Sequence, residues 1–168
     1  MQGIVIQGPT TYFKEVADNW SGWPNVVWST WTDEPQSNIN YIKSKGIEVV
    51  QSLPPIIPGD MNVNYQCAST FIGLNYLHRK GCTEVLKIRS DHTISDIKSL
   101  LEILWGRKMA FLAISNAPKR MDLTYELEGL HFGHDYPSDN LIYGNINEMM
   151  IMFNFQVDKE YAIPPETL

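Results

Sequence analysis

Cysteine is scarce in this chain of 168 residues, since only Cys67 and Cys82 occur and they lack the paired spacing of metal ligands. A disulfide scaffold and a zinc site are therefore not expected. Long apolar runs are also missing, because no segment approaches the roughly 18 apolar residues of a membrane span. The N-terminus lacks the basic-then-apolar layout of a secretory signal. We expect no transmembrane segment, and a cytoplasmic protein or one that a partner holds at a membrane.

Basic residues are also few: the chain has 13 Lys and Arg against 19 Asp and Glu, which gives a net charge of −6. Nucleic-acid-binding domains present a broad basic face to the phosphate backbone, so this balance argues against a nucleic-acid partner. A hydrophobic share of 43% over 168 residues is enough for one well-buried core. The composition therefore predicts a single domain over residues 1–168.

Short apolar runs alternate with helical periodicity along the first two thirds of the chain. The predicted elements are a strand at 3–7, a helix capped by Thr10 or Thr11, a strand at 25–30, a helix at 34–45, a strand at 47–51, a loop at 52–60, a helix at 62–78, a strand ending near Asp91, a helix capped by Ser95 and a strand at 109–114. This alternation is typical of a parallel α/β layer. Farther on, the pattern predicts irregular structure at 116–135, a turn at 136–139 and a Met-rich helix at 147–155.

The fourth predicted strand, Thr83–His92, runs directly into a cluster of charge. Strand side chains point alternately to opposite faces, which places Lys87, Arg89 and Asp91 on one face and Ser90 on the other. Ligands of open α/β sheets bind beyond the carboxyl ends of the strands, and Asp91 lies at such an end. The stretch therefore predicts a site for an anionic ligand, held together with a metal ion.

Further candidate binding residues follow the other predicted elements. They are Gln7, Gly8, Pro9 and Thr10 after the first strand, Trp31 and Asp33 after the second, and Asn62, Asn64 and Gln66 at the start of the long helix. Glycine allows a nucleotide to approach the backbone closely, although Gly-Pro is also an ordinary turn. A tryptophan can stack on a base or belong to the core. Amides at the positive end of a helix favour an anionic or hydroxyl-rich ligand, whereas capping would explain only one of the three.

Several segments, taken in order, resemble the WavE-type lipopolysaccharide-synthesis proteins. The segments that carry this resemblance are 4–9, 28–31, 62–66 with 69–70 and 73–74, 86–91, and 138–139 ahead of 143–144. The resemblance implies an α/β, GT-A-like and Rossmann-related fold, with a mostly parallel central sheet and helices on both faces. There are two departures. The Asp-x-Asp of that fold is Arg89-Ser90-Asp91 here, and the chain ends at Leu168, shorter than many GT-A enzymes, so we expect an acceptor-binding region that is reduced or absent.

The implied activity is transfer of a sugar from a nucleoside-diphosphate sugar to a glycan or glycolipid acceptor. Such a transfer needs cations to neutralise the departing diphosphate. Asp91 is the predicted ligand of Mn²⁺ or Mg²⁺, which accept one or two carboxylates with substrate phosphates; a helix cap or a surface charge is the alternative. Lys87, Arg89 and Ser90 are predicted to bind the phosphates or the sugar, and for the two cations a structural ion pair is the alternative.

The reaction also needs a base that takes the proton of the acceptor hydroxyl. Asp139 is the candidate, with Asp135 and His134 as alternatives or as a second metal ligand. Two other functions remain open. One is a catalytically silent nucleotide- or sugar-binding domain of the same fold, suggested by the single acid of Arg89-Ser90-Asp91. The other is a nucleotidyltransferase, which would release pyrophosphate.

Overall fold

The computed structural model describes residues 1–59, 62–111 and 140–154, and the backbone of 125–127 and 130–132. Its strands are β1 (Gln2–Gln7), β2 (Val26–Trp31), β3 (Glu48–Ser52), β4 (Glu84–Arg89), β5 (Met109–Phe111), β6 (Tyr125–Leu127), β7 (Leu130–Phe132) and β8 (Leu141–Asn145). Its helices are α1 (Phe13–Trp20), α2 (Gln36–Ser44), α3 (Val63–Arg79), α4 (Ile97–Leu104) and α5 (Ile146–Phe153). The α/β class is thus confirmed.

The main sheet is mixed, so the prediction of a mostly parallel sheet is wrong. Its strand order is β3-β2-β1-β4-β8-β5. The first four strands are parallel, but β8 lies antiparallel between β4 and β5. Strand β8 was not predicted from the sequence. Its buried run Leu141-Ile-Tyr143 lacks the alternation of apolar and polar residues that marks a half-exposed strand, and the chain passes directly from β8 into α5. A separate hairpin of β6 and β7 occupies part of the segment predicted to be irregular.

The first four strands have the order 3-2-1-4, which is also the order of strands one to four in doubly wound α/β sheets. From β1 the chain steps outward to β2 and β3, and α3 then returns it across the sheet to β4. Parallel crossovers are right-handed, so this reversal of direction moves α3 to the opposite face from α1 and α2. The winding changes direction between β1 and β4, which is the place where such sheets bind ligands.

Helices cover both faces of the sheet, as predicted. On one face, Ile6, Trp28 and Ile88 belong to a core that α1, α2 and α4 complete. On the other, Val5 and Val27 pack with α3 and α5. These strand residues follow the alternation expected of a pleated strand. Because both faces are buried, the strand ends are the exposed parts of the sheet where polar side chains can meet a ligand.

Two predicted helix caps are wrong. Neither threonine caps α1, which begins after Tyr12 without a side-chain cap. Helix α4 is capped by Asp96 instead of Ser95, since the Asp96 carboxylate accepts a hydrogen bond from the Ser99 amide at 3.0 Å. The other helices lie within two residues of the predicted bounds. Within the described ranges, no helix combines the length and apolarity needed to cross a membrane.

Helix α3 approaches the sheet closely at Gly73. A Cβ atom at this position would lie 2.6 Å from Val5 Cγ1 and 3.2 Å from Ser29 Cβ. Val5 is fully buried, so its methyl groups have little room to move away. The absence of a side chain at Gly73 therefore sets the distance between α3 and strands β1 and β2.

We expect Gly73→Ala to lower the free energy of unfolding by about 1–3 kcal/mol through overpacking. Alanine favours a helix over glycine by about 1 kcal/mol, so the clash must exceed that gain. Urea unfolding of the single variants and of Val5→Ala/Gly73→Ala measures the effect. The double variant should lose less than the sum of the two single losses, because removing the Val5 methyls relieves the clash. A more stable Gly73→Ala protein would contradict the close packing.

Candidate functional site

A cleft of about 300 Å³ lies between the carboxyl ends of β1, β2 and β4 and the first turn of α3. From the ends of β1 and β4 come Gln7, Gly8, Pro9, Arg89, Ser90 and Asp91. Trp31 lines it from β2, and Asn62 and Gln66 line it from the start of α3. The fold thus brings together residues predicted from four separate segments.

The floor of the cleft depends on a close approach between the chain after β1 and the chain after β4. The carbonyl of Gln7 accepts a hydrogen bond from the Ser90 amide at 2.8 Å. Gly8 has φ +126, and a Cβ there would lie 2.5 Å from Ser90 Oγ. The Gly8 carbonyl is held from beneath by the Trp28 indole N–H at 3.1 Å. Only glycine fits this position without strain.

Arg89 and Asp91 form a two-pronged ion pair at the β4 side of the cleft. Arg89 Nε donates to Asp91 Oδ1 at 3.0 Å, and its terminal nitrogen donates to Oδ2 at 2.6 Å. The side chains are 35% and 37% exposed, so a ligand can reach both. Nδ1 of His92 lies 2.9 Å from Asp91 Oδ1, an ion-pair distance without hydrogen-bond geometry. The hydrogen bonds from Arg89 lower the pKa of Asp91, which is therefore a carboxylate at neutral pH.

The start of α3 presents side-chain carboxamides to the cleft. Asn62 adopts the left-handed conformation, with φ 63, and makes no side-chain cap. Asn64, also predicted as a binding residue, is buried and outside the cleft lining. Its amide donates to the Ile57 carbonyl at 3.1 Å and so fixes the proline-rich loop before α3. Asn62 and Gln66 are the amides of this turn that line the cleft.

Aromatic rings form the β2 side of the cleft. The rings of Trp31 and Tyr65 lie 5.5 Å apart at an interplanar angle of 58°. Trp31 is only 9% exposed, so it both belongs to the core and contributes an edge to the cleft. The sequence analysis missed Tyr65, together with Thr11 and Tyr12. Helical spacing was the available signal, because residues 62, 65 and 66 share one face of a helix.

Three other predicted residues lie outside the cleft lining. Thr10 is buried, and its hydroxyl donates to the Glu34 carboxylate and accepts from the Asn38 amide at 3.0 Å. It therefore ties the β1–α1 connection to the start of α2. Asp33 is exposed. Lys87 is fully buried beneath the cleft, and it points to the α3 side because its neighbour Val85 packs there.

The candidate catalytic residues Asp139, Asp135 and His134 lie outside the described residues. Within the described ranges, no three His, Cys, Asp or Glu side chains gather as a metal cluster. The oxygen donors that line the cleft include the Asp91 carboxylate, the Ser90 hydroxyl and the carboxamides of Gln7, Asn62 and Gln66. This set of hard oxygen donors fits Mg²⁺ or Mn²⁺ when substrate phosphates complete the shell.

Comparison of the chain with protein-family models, curated proteins and solved structures gives no match. The function is therefore inferred from the geometry and chemistry of the cleft. Its contents are an ionised carboxylate beside a guanidinium, an aromatic wall, and amides at the start of a helix.

We expect Arg89→Met to raise the pKa of Asp91 toward its ordinary value, because the hydrogen bonds that lower it are removed. Carboxyl carbon shifts followed by NMR against pH measure the change. Asp18 is the internal control, since its pKa is lowered by Lys45 and should not respond. An Asp91 titration that stays unchanged in the variant would contradict the role given to Arg89.

The Arg89–Asp91 ion pair also predicts that the stability of the fold depends on pH. A group with a lowered pKa in the folded state stabilises above its unfolded pKa, about 3.9 for Asp, and loses that contribution as the pH falls through the folded value. The difference in unfolding free energy between the original protein and Arg89→Met should be constant near neutrality. It should shrink below about pH 4, where the unfolded carboxyl is protonated. Urea unfolding at several pH values checks this, and a difference that grows in acid would contradict it.

Proposed function

We propose that the protein is a glycosyltransferase of GT-A-like fold that moves a sugar from a nucleoside-diphosphate sugar to a glycan or glycolipid acceptor. A divalent cation, Mn²⁺ or Mg²⁺, assists at the diphosphate. The observation that carries the proposal is the Arg89–Asp91 pair in a cleft at the switch point of the sheet.

The position of the cleft supports a nucleotide ligand. It opens beside β1 and β4, where the winding reverses, and doubly wound sheets bind nucleotides at that place. The N-terminal turn of α3 faces the same space, and a helix N-terminus favours an anionic group. A nucleotide carries phosphates at one end and a flat base at the other, and these two ends match the charged side and the aromatic side of this cleft.

The pairing of Arg89 with Asp91 supports phosphate binding on the β4 side. A guanidinium binds phosphate oxygens through two parallel hydrogen bonds, as it now binds the carboxylate. Asp91, with Ser90 beside it, would hold the cation. A bound cation would neutralise the negative charge that develops on the leaving diphosphate. Arg89 would orient the same diphosphate, and Gly8 would let it approach the backbone.

A second candidate function is a nucleotide- or sugar-binding domain without catalysis. It is favoured by the described part of the cleft, in which Asp91 is the one carboxylate among the lining residues and is already neutralised by Arg89. Turnover of a sugar nucleotide distinguishes the two candidate functions. A silent domain would bind a nucleoside diphosphate and would neither transfer nor hydrolyse any sugar nucleotide, whereas an enzyme would turn over at least one donor.

We expect Asp91→Asn to remove the Mn²⁺-dependent part of nucleoside-diphosphate affinity while leaving the fold intact. The amide keeps the size of the carboxylate but not its charge, and loss of a metal ligand should weaken metal binding at least about 10-fold. Calorimetric titration with and without Mn²⁺ measures the change. The matched control is Asp18→Asn, which removes an exposed carboxylate paired with Lys45 outside the cleft. Unchanged metal dependence in Asp91→Asn would exclude Asp91 as a ligand.

We also expect Asp139→Asn to reduce sugar transfer by about 10²–10⁴-fold with only a modest change in donor affinity. A general base acts mainly in the transition state, so its loss lowers the rate more than binding. Steady-state transfer kinetics and donor titration together measure the two effects. Loss of metal affinity in the variant would identify Asp139 as a ligand, and near-normal transfer would move the role to Asp135 or His134.

A further inference from the structure

Gln7 is a nearly buried amide that faces the cleft. It is 6% exposed, and it lines the cleft at the end of β1. Its side chain points to the α3 side of the sheet, because Ile6 packs on the opposite face and strand side chains alternate. Within the described part of the chain, its carboxamide makes no hydrogen bond, whereas its backbone carbonyl accepts one from the Ser90 amide. A carboxamide carries two donor hydrogens and an acceptor oxygen, and burying it without partners is costly.

The register of the sheet places this amide between two different environments. Gln7 pairs with Arg89 of β4 on one side, so the two side chains are neighbours on the same face. On its other side lies β2, whose terminal residue Trp31 packs against Tyr65 of α3. The amide thus lies between the charged side and the aromatic side of the cleft.

Tyr65 provides the ring surface on the aromatic side. Both rings line the cleft, but Trp31 is only 9% exposed and offers little surface, whereas Tyr65 is half-buried. The tilted contact with Trp31 fixes the orientation of the Tyr65 ring. A flat heterocycle lying against Tyr65 would share the cleft with the Gln7 amide.

We infer that Gln7 recognises the base of a nucleoside diphosphate and that Tyr65 stacks on that base. This inference rests on the proposed function and specifies which residues hold the base of its donor. A carboxamide matches an edge that has one donor beside one acceptor, as nucleic-acid-binding proteins use Asn and Gln.

Comparison of two probes isolates the contact with the base. Uridine diphosphate and inorganic pyrophosphate, each with Mn²⁺, share the phosphates and differ in the nucleoside. Calorimetric titration gives the ratio of their affinities for each variant. In Gln7→Met, which keeps the length of the side chain, we expect this ratio to fall by roughly 10- to 100-fold. In Tyr65→Leu we expect a fall of roughly 10-fold or more, through loss of stacking.

The matched control is Gln36→Met, an exposed glutamine at the start of α2 outside the cleft lining, which should leave both affinities unchanged. An equal loss of both probes in Gln7→Met would place Gln7 at the phosphates and overturn the inference, as would an unchanged ratio. If the original protein binds no nucleoside diphosphate, the proposed function itself fails.

Discussion

The close approach of the chain ends after β1 and β4 is the constraint on which the cleft depends. The hydrogen bond from Ser90 to Gln7 and the lack of a side chain at Gly8 hold these ends together. The parallel register then places Gln7 beside Arg89. A slip of one residue in either strand would turn one of these side chains to the opposite face of the sheet, and the amide and the guanidinium would no longer share a cleft.

The second wall depends on how α3 is held. Gly73 lets the middle of the helix lie against β1 and β2, and Asn64 fixes its first turn to the proline-rich loop. Between these two anchors, Tyr65 and Gln66 face the strand ends. The positions of the cleft side chains are therefore set by backbone contacts and by buried packing, which are stiffer than the flexible side chains of an open surface.

Much of this arrangement follows from the sequence, because strand ends and helix starts are local features. The apolar runs and turn residues predicted β1 to β4 and α1 to α4, and parallel strands bring their carboxyl ends to one edge. What could not be predicted depends on distant contacts. The pairing of Thr10 with Glu34 and the inward turn of Asn64 depend on packing between elements, and the sequence alone gives no sign of either. Strand β8 was missed because a short apolar run buried on both faces has no distinctive period.

If the protein has the proposed function, the Arg89–Asp91 pair gives a physical interpretation of the arginine that replaces the first aspartate of Asp-x-Asp. An ion pair that is more than a third exposed contributes little to stability, so a ligand can separate it at small cost. On the proposed function, a cation that takes Asp91 leaves the Arg89 guanidinium for the diphosphate, and a diphosphate that takes Arg89 leaves the carboxylate for the cation. Each ligand then favours the other by the same factor, as thermodynamic linkage requires. An arginine in place of the first aspartate would thus help to bind the donor through its phosphates instead of through the metal. The single carboxylate of Asp91 would be enough to couple binding of the cation to binding of the diphosphate.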